Sequence, residues 1–184
     1  AVLLTDAVIF AFGGAHLELG EHMLGKEYFP NNNLQLPDEL RNALVRYYDF
    51  MVAYENLLRD GGTFNTPVVS CTNGKAVIGN WPAQQGKVAA IGKEYANRQV
   101  LHLVNFTNAN SLEWRDTNGT QVKPVNIENM EIKITAAKAV KKVWLASPDA
   151  GNGVAAALNF TQTGNEVTVT VPGMQYWNML VLEY

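Results

Sequence analysis

The run Ala15-His16-Leu17-Glu18-Leu19-Gly20-Glu21-His22 places two imidazoles and two carboxylates within eight residues. Such groups can accept and donate protons, hydrogen-bond sugar hydroxyls, or ligate a divalent metal. The metal reading is disfavoured, because His-Leu-Glu-Leu-Gly-Glu-His does not match the helical His-Glu-x-x-His arrangement and Gly20 would interrupt a helix. Glu18 and Glu21 do not read as a catalytic acid pair either, since a turn between them would separate their directions. No metal and no cofactor is expected. His16 and Glu18 remain as the candidate ligand-contacting residues, weighed against a role in satisfying backbone groups at a strand end. Further along, Tyr28, Phe29 and Asn31 to Asn33 combine aromatic faces with amides, which suits carbohydrate and equally suits a loop anchored by its aromatics. Of four tryptophans, Trp144 and Trp177 lie within strand patterns and read as core, whereas Trp81 and Trp114 lie in turn-rich segments and are better candidates for exposure, though packing is favoured even there. Cys71, in an apolar run with no paired base, is expected to be buried and inert.

These residues need elements to position them. Leu40, Leu44, Tyr47, Met51, Tyr54 and Leu58 recur at spacings of three and four, predicting an amphipathic helix from Pro37 to about Asp60. Pro37 fits its first turn, Asp38 and Glu39 complement the positive end of the dipole, and Gly61-Gly62 can supply a left-handed cap. Ahead of it, Val2 to Phe12 is apolar nearly all round and predicts a helix buried on several sides, broken at Gly13-Gly14. Ala15 to Leu19 alternates polar and apolar residues as a short strand does, with His16 and Glu18 on one face. Gly20 to Leu36 reads as a long loop of the kind that often carries function.

From Val68 onward the pattern changes to short alternating runs: Val68 to Cys71, Lys87 to Ile91, Val100 to Phe106, Met130 to Ile134, Lys142 to Ala146, Ala156 to Phe160, Glu166 to Val171 and Trp177 to Glu183. Turn chemistry separates them, and an antiparallel sandwich or barrel follows. Residues 1–66 alone bury too little to stand by themselves. Helix, short strand, long loop and helix is the order found at the end of a (β/α)8 barrel. The expected fold is therefore mainly β: a C-terminal antiparallel β-sandwich over 67–184, preceded over 1–66 by the last strand, loop and helix of such a barrel.

Composition narrows the function. The chain has 184 residues, 47% hydrophobic and 17% charged, with a formal net charge of −3, which excludes disorder and leaves no basic footprint for nucleic acid. Its longest apolar run, Ala7 to Phe12, is far short of the roughly 20 residues that span a bilayer, so no membrane segment is expected. The sequence opens at Ala1 inside an apolar stretch, which suggests a processed product or a piece of a longer chain.

The string Leu4-Thr5-Asp6-Ala7 to Gly13-Gly14-Ala15-His16-Leu17-Glu18-Leu19-Gly20, followed by His22-Met23-Leu24 and Glu27-Tyr28-Phe29-Pro30-Asn31, resembles the end of the catalytic barrel in bacterial dextranases of glycoside hydrolase family 66. The family also includes cycloisomaltooligosaccharide glucanotransferases. Tyr176-Trp177-Asn178-Met179-Leu180-Val181-Leu182-Glu183-Tyr184 resembles the close of the β-domain after that barrel. The resemblance implies endo-cleavage of α-1,6-glucan with retention, by an Asp nucleophile and a Glu acid/base held about 5 Å apart. Both lie upstream of the matching motif, so this chain is expected to lack them and to be inactive alone. It further implies dextran or an isomalto-oligosaccharide as ligand, the upstream part of the barrel as partner, His16 and Glu18 as sugar contacts, and an extracellular or periplasmic location. The other reading, from a different class, is a non-catalytic β-sandwich module that binds polysaccharide or protein, which exposure of Trp81 or Trp114 would favour.

Overall fold

The computed structural model describes residues 1–17, 36–114, 116 and 118–184. Glu18, Glu21, His22, Glu27, Tyr28, Phe29 and Asn31 to Asn33 lie outside the described residues, as does most of the expected loop from Gly20 to Leu36.

Helix α1 spans Val2–Ala11, and its one charged residue, Asp6, is fully buried. It ends at Phe12 in a Schellman turn: the Gly13 N–H donates to the Phe10 carbonyl and the Gly14 N–H to the Ile9 carbonyl, both at 2.9 Å. Gly13 holds φ +75°, and a Cβ there would lie 2.6 Å from the Leu58 carbonyl oxygen, so glycine is required twice over. Residues 15–17 then run without a ladder partner among the described residues. The strand expected from Ala15 is therefore absent over these residues; alternation alone does not make a strand, which needs a neighbouring edge to satisfy its backbone.

Helix α2 spans Asp38–Ala53, with Pro37 at the cap position one residue before the expected first turn. The long helix predicted to Asp60 breaks at Tyr54 (φ −117°, ψ 20°) and resumes as a short α3, Glu55–Leu58. Tertiary contact accounts for the break: the Tyr54 hydroxyl donates to the Gly153 carbonyl at 2.8 Å and its ring lies 4.6 Å from Phe50. The buried residues are Ala43, Leu44, Tyr47 and Phe50; Leu44 and Tyr47 belong to the predicted stripe, whose Leu40, Met51 and Tyr54 are half-buried beside them, and Ala43 and Phe50 widen the face by one residue. Gly61 and Gly62 both adopt positive φ, as expected of the cap.

Among the described residues eleven strands follow. They are β1 (Thr63–Asn65), β2 (Val69–Cys71), β3 (Ile78–Asn80), β4 (Val88–Tyr95), β5 (Arg98–Asn105), β6 (Ile127–Thr135), β7 (Lys142–Ala146), β8 (Ala156–Leu158), β9 (Phe160–Thr163), β10 (Glu166–Met174) and β11 (Trp177–Glu183). A seven-stranded sheet runs β1-β4-β5-β11-β7-β8, with β3 also on β4, and a four-stranded sheet runs β2-β6-β10-β9. All pairs are antiparallel except β3 with β4. The single run expected over Ala156 to Phe160 divides at Asn159, β8 pairing with β7 and β9 with β10, so this segment crosses from one sheet to the other.

Strand periodicity explains the layering. In β10, Val167, Val169 and Val171 are buried and alternate with the less buried Thr168 and Thr170, giving one core face. In β4, β5 and β11 nearly every residue is buried. Alternate residues of the large sheet serve two cores: Leu101, Leu103, Leu180 and Leu182 meet the small sheet, whereas Val100, Val104, Trp177, Met179 and Val181 meet α1, α2 and α3. The molecule is a β-sandwich whose larger sheet carries the helices on its outer face.

Candidate functional site

The Schellman turn sends the chain back along α1, so that His16 meets a residue ten positions earlier. The His16 ring nitrogen Nδ1 and Asp6 Oδ1 are 2.7 Å apart, with Asp6 sealed from solvent and the imidazole about one-third exposed. A carboxylate buried on an apolar helix needs such a partner. Asp6 thereby fixes the orientation of the imidazole through Nδ1.

His16 lines a cavity of about 450 Å³ together with Leu40, Trp114, Asp116 and Tyr176. Each wall has a distinct origin. Leu40 comes from the first turn of α2, and Tyr176 from the turn before β11. Trp114 and Asp116 come from the loop after β5. Asp116 shapes that loop, one carboxylate oxygen accepting from the Thr120 N–H (2.7 Å) and the other from the Gln121 N–H (2.9 Å). These bonds, that from Gln121 first, hold its carboxyl below the usual carboxylate range. Tyr176 is pushed above the ordinary phenol range by burial and then by the neighbouring Asp149 charge, so it stays a neutral hydroxyl at physiological pH.

A second cavity, about 330 Å³, lies along the other side of α1. It is lined mainly by apolar groups, among them Leu4, Val8, Ile9, Trp81, Leu112 and Trp114. Trp81 is 41% and Trp114 67% exposed, against the packing favoured for them, while Trp144 and Trp177 are buried in the core as expected. Cys71 departs from expectation: it is only half-buried at the sheet edge, and its thiol lies 3.3 Å from Asn73 Oδ1. A short edge strand leaves one flank of its side chains open to water.

Beneath the cavities, Asp149 joins helix to sheet. It accepts from the Tyr47 hydroxyl (2.9 Å) and from the backbone N–H groups of Tyr176 (3.0 Å) and Trp177 (2.8 Å). Burial pushes its carboxyl up and these three donors pull it down, with burial the larger effect. Sequence reasoning singled out neither Asp6 nor Asp149. An acidic residue inside an otherwise apolar helix was the available signal for Asp6.

Among the described residues no group of histidine, cysteine and carboxylate side chains could hold a metal ion. Among the described residues lining the 450 Å³ cavity the one carboxylate is Asp116, and its oxygens are committed to backbone amides. Among the described residues, two facing carboxyl groups for glycosidic-bond cleavage are not brought together there. Holding a neutral polyhydroxylated ligand, through an indole face, an imidazole and a phenol, is within its chemistry.

A sequence model described as "Glycosyl hydrolase family 66" matches residues 1–181. The chain belongs to glycosyl hydrolase family 66. A cycloisomaltooligosaccharide glucanotransferase of Niallia circulans is 34% identical over 190 residues, covering all of this chain and 19% of that enzyme. A dextranase of Streptococcus salivarius is 28% identical over 214 residues, again covering all of this chain and 26% of the relative. Among solved structures, a Paenibacillus cycloisomaltooligosaccharide glucanotransferase complexed with cycloisomaltoheptaose superposes with a TM-score of 0.76 at 29% identity, over 98% of this chain and 26% of that one. The chain thus spans between a fifth and about a quarter of the family 66 proteins it matches.

Proposed function

We propose that this chain is the C-terminal part of a dextranase-like enzyme that cleaves α-1,6-glucan with retention, its two catalytic carboxylates being supplied by sequence upstream. The family 66 match across residues 1–181 carries this reading, supported by relatives named as a dextranase and as glucanotransferases. Residues 1–66 contribute the end of a (β/α)8 barrel and residues 67–184 the β-domain. A retaining mechanism fits both names: the glycosyl-enzyme is released to water in hydrolysis, or to a sugar hydroxyl in transfer. His16, oriented by Asp6, and Glu18 contact the glucan from the segment after α1, which becomes the last barrel strand where the upstream strands supply its neighbouring edge. The parent protein works outside the cytoplasm, where such polymers are found.

The test compares the full parent protein, its His16→Ala variant and this chain alone on dextran, with reducing-end release and product size as readouts. Activity in the parent, a raised KM or lowered kcat in the variant, and none in the isolated chain are the expected results. Dextran cleavage by the isolated chain would overturn the upstream placement of the carboxylates. The second reading, a non-catalytic module holding polysaccharide, is favoured by the exposure of Trp81 and Trp114 and predicts binding by this chain without turnover.

A further inference from the structure

Strand β4 has two short neighbours on one edge. β1 pairs with its residues Gly92 to Glu94 and β3 with its residues Val88 to Ala90, leaving a gap opposite Ile91. A cleft of about 260 Å³ opens at that gap, and every side chain lining it is uncharged.

Its rings come from three elements. Phe12, just past α1, lies 5.4 Å from Phe64 on β1 and 5.1 Å from Trp81 just past β3, meeting the indole edge-on at 69°. Phe64 already has the Lys93 ammonium 5.1 Å from its ring centre, so Trp81 is the ring left to serve as a platform. The Trp81 backbone is fixed, its N–H donating to the Ala90 carbonyl at 3.1 Å. Around it stand the side chains of Asn65, Thr66 and Asn80. All three are exposed, and neither they nor the Trp81 indole N–H bond to protein among the described residues. Asn65 is placed by an absence: its Oδ1 occupies the space a Cβ on Gly92 would take, 2.1 Å from that position.

An exposed indole ringed by unpaired amides and a hydroxyl, with no charge, matches a ligand having C–H faces and many neutral hydroxyls. We infer that the β1–β3 cleft is a second glucan-holding subsite, which takes one pyranose ring of an α-glucan against Trp81 while Asn65 and Asn80 bind its hydroxyls. The identity of the sugar rests on the family reading above; the cleft itself does not. Such a subsite would tether polymer away from the 450 Å³ cavity and so raise its local concentration.

The test is a titration of the isotopically labelled 184-residue chain with isomaltotriose, cellotriose serving as a neutral sugar of different linkage, followed through indole and side-chain amide resonances. Isomaltotriose is expected to shift the Trp81 indole and the Asn65 and Asn80 amides, leaving Trp144 and Trp177 unmoved. Trp81→Ala should weaken binding roughly tenfold or more. Gly92→Ala, which displaces the Asn65 amide without meeting an aromatic ring, should weaken it less while preserving the spectrum of the fold. Shifts confined to Trp114 and His16, or none at millimolar sugar, would overturn the subsite. Shifts at the cleft with cellotriose alone would overturn the α-glucan assignment, and dextran cleavage by the parent would then show whether the family reading fails with it.

Discussion

His102 offers a direct measure of how dry the core between helices and sheet is. It sits on β5, fully buried, with Nδ1 accepting from the Trp177 indole N–H at 3.3 Å. Its Nε2 has no hydrogen-bond partner among the described residues. Burial first, and the Lys93 charge second, push its pKa down from 6.5 to about 3. The native state therefore binds fewer protons than the unfolded chain between those values, and stability falls as pH drops through that window. Above 6.5 the contribution of a neutral imidazole is fully present. Taking 1.36 kcal/mol per unit, the loss attributable to this one group between pH 7 and pH 4.5 is about 2.5 kcal/mol. Carboxylates titrate in the same range, so the informative quantity is a difference. Urea unfolding at both pH values, on the native sequence and on His102→Leu, should show the variant losing about 2.5 kcal/mol less. Near pH 7 the variant removes an unpaired buried imidazole N–H but strands the buried Trp177 indole N–H, at a cost of about 1 kcal/mol that is the same at both pH values and cancels from the difference. Equal pH dependence in the two proteins would mean that His102 takes up a proton inside the fold, and the account of a dry, neutral imidazole would be wrong.

Two comparisons test other joints of the structure by equilibrium unfolding. Gly13→Ala forces a side chain into a left-handed residue and against the Leu58 carbonyl, whereas Gly74→Ala, at φ +71°, meets nothing within 4 Å; Gly74→Ala should cost about 1 kcal/mol, and Gly13→Ala at least twice that. Tyr47→Phe removes one of three donors to Asp149 and should cost about 1 kcal/mol, while Asp149→Ala strands all three and should cost about 3 kcal/mol. Equal costs within either pair would refute the geometry behind it.

The sequence pattern revealed α2 and its buried Leu44 and Tyr47 because apolar spacing is local, yet missed Phe50, which is chosen by Trp177, whose ring it meets at 4.9 Å. All eight expected strand segments form strands, one of them divided, because alternation reports burial on a pleated surface. Strands β1 and β3 went unseen for a physical reason. Each has three residues, none of them buried, so their pairing is dictated by the edge of β4 and not by a pattern of their own. The same limit applies to the cavities. The turn residues around Trp81 and Trp114 marked them as the better candidates for exposure but did not outweigh the general tendency of tryptophan to pack, and the meeting of Asp6 with His16 depends on a reversal at Gly13 that composition signals only as a break.

The layering gives these local facts a common cause. An amphipathic sheet can leave one face in water, but the large sheet here presents apolar side chains on both, including Trp177, Met179 and Val181 toward the helices. That face cannot be stable uncovered, and α1, with hardly a polar side of its own, cannot be stable without it. Helices and sheet therefore fold as mutual cover, and Asp149, bonded at once to Tyr47 of α2 and to the backbone entering β11, fixes their register. The cavities lie along the flanks of that joint, which is why their walls draw on α1, α2 and the loops of the sheet together. Whatever ligand occupies them is held by a seam that both halves of the chain must build.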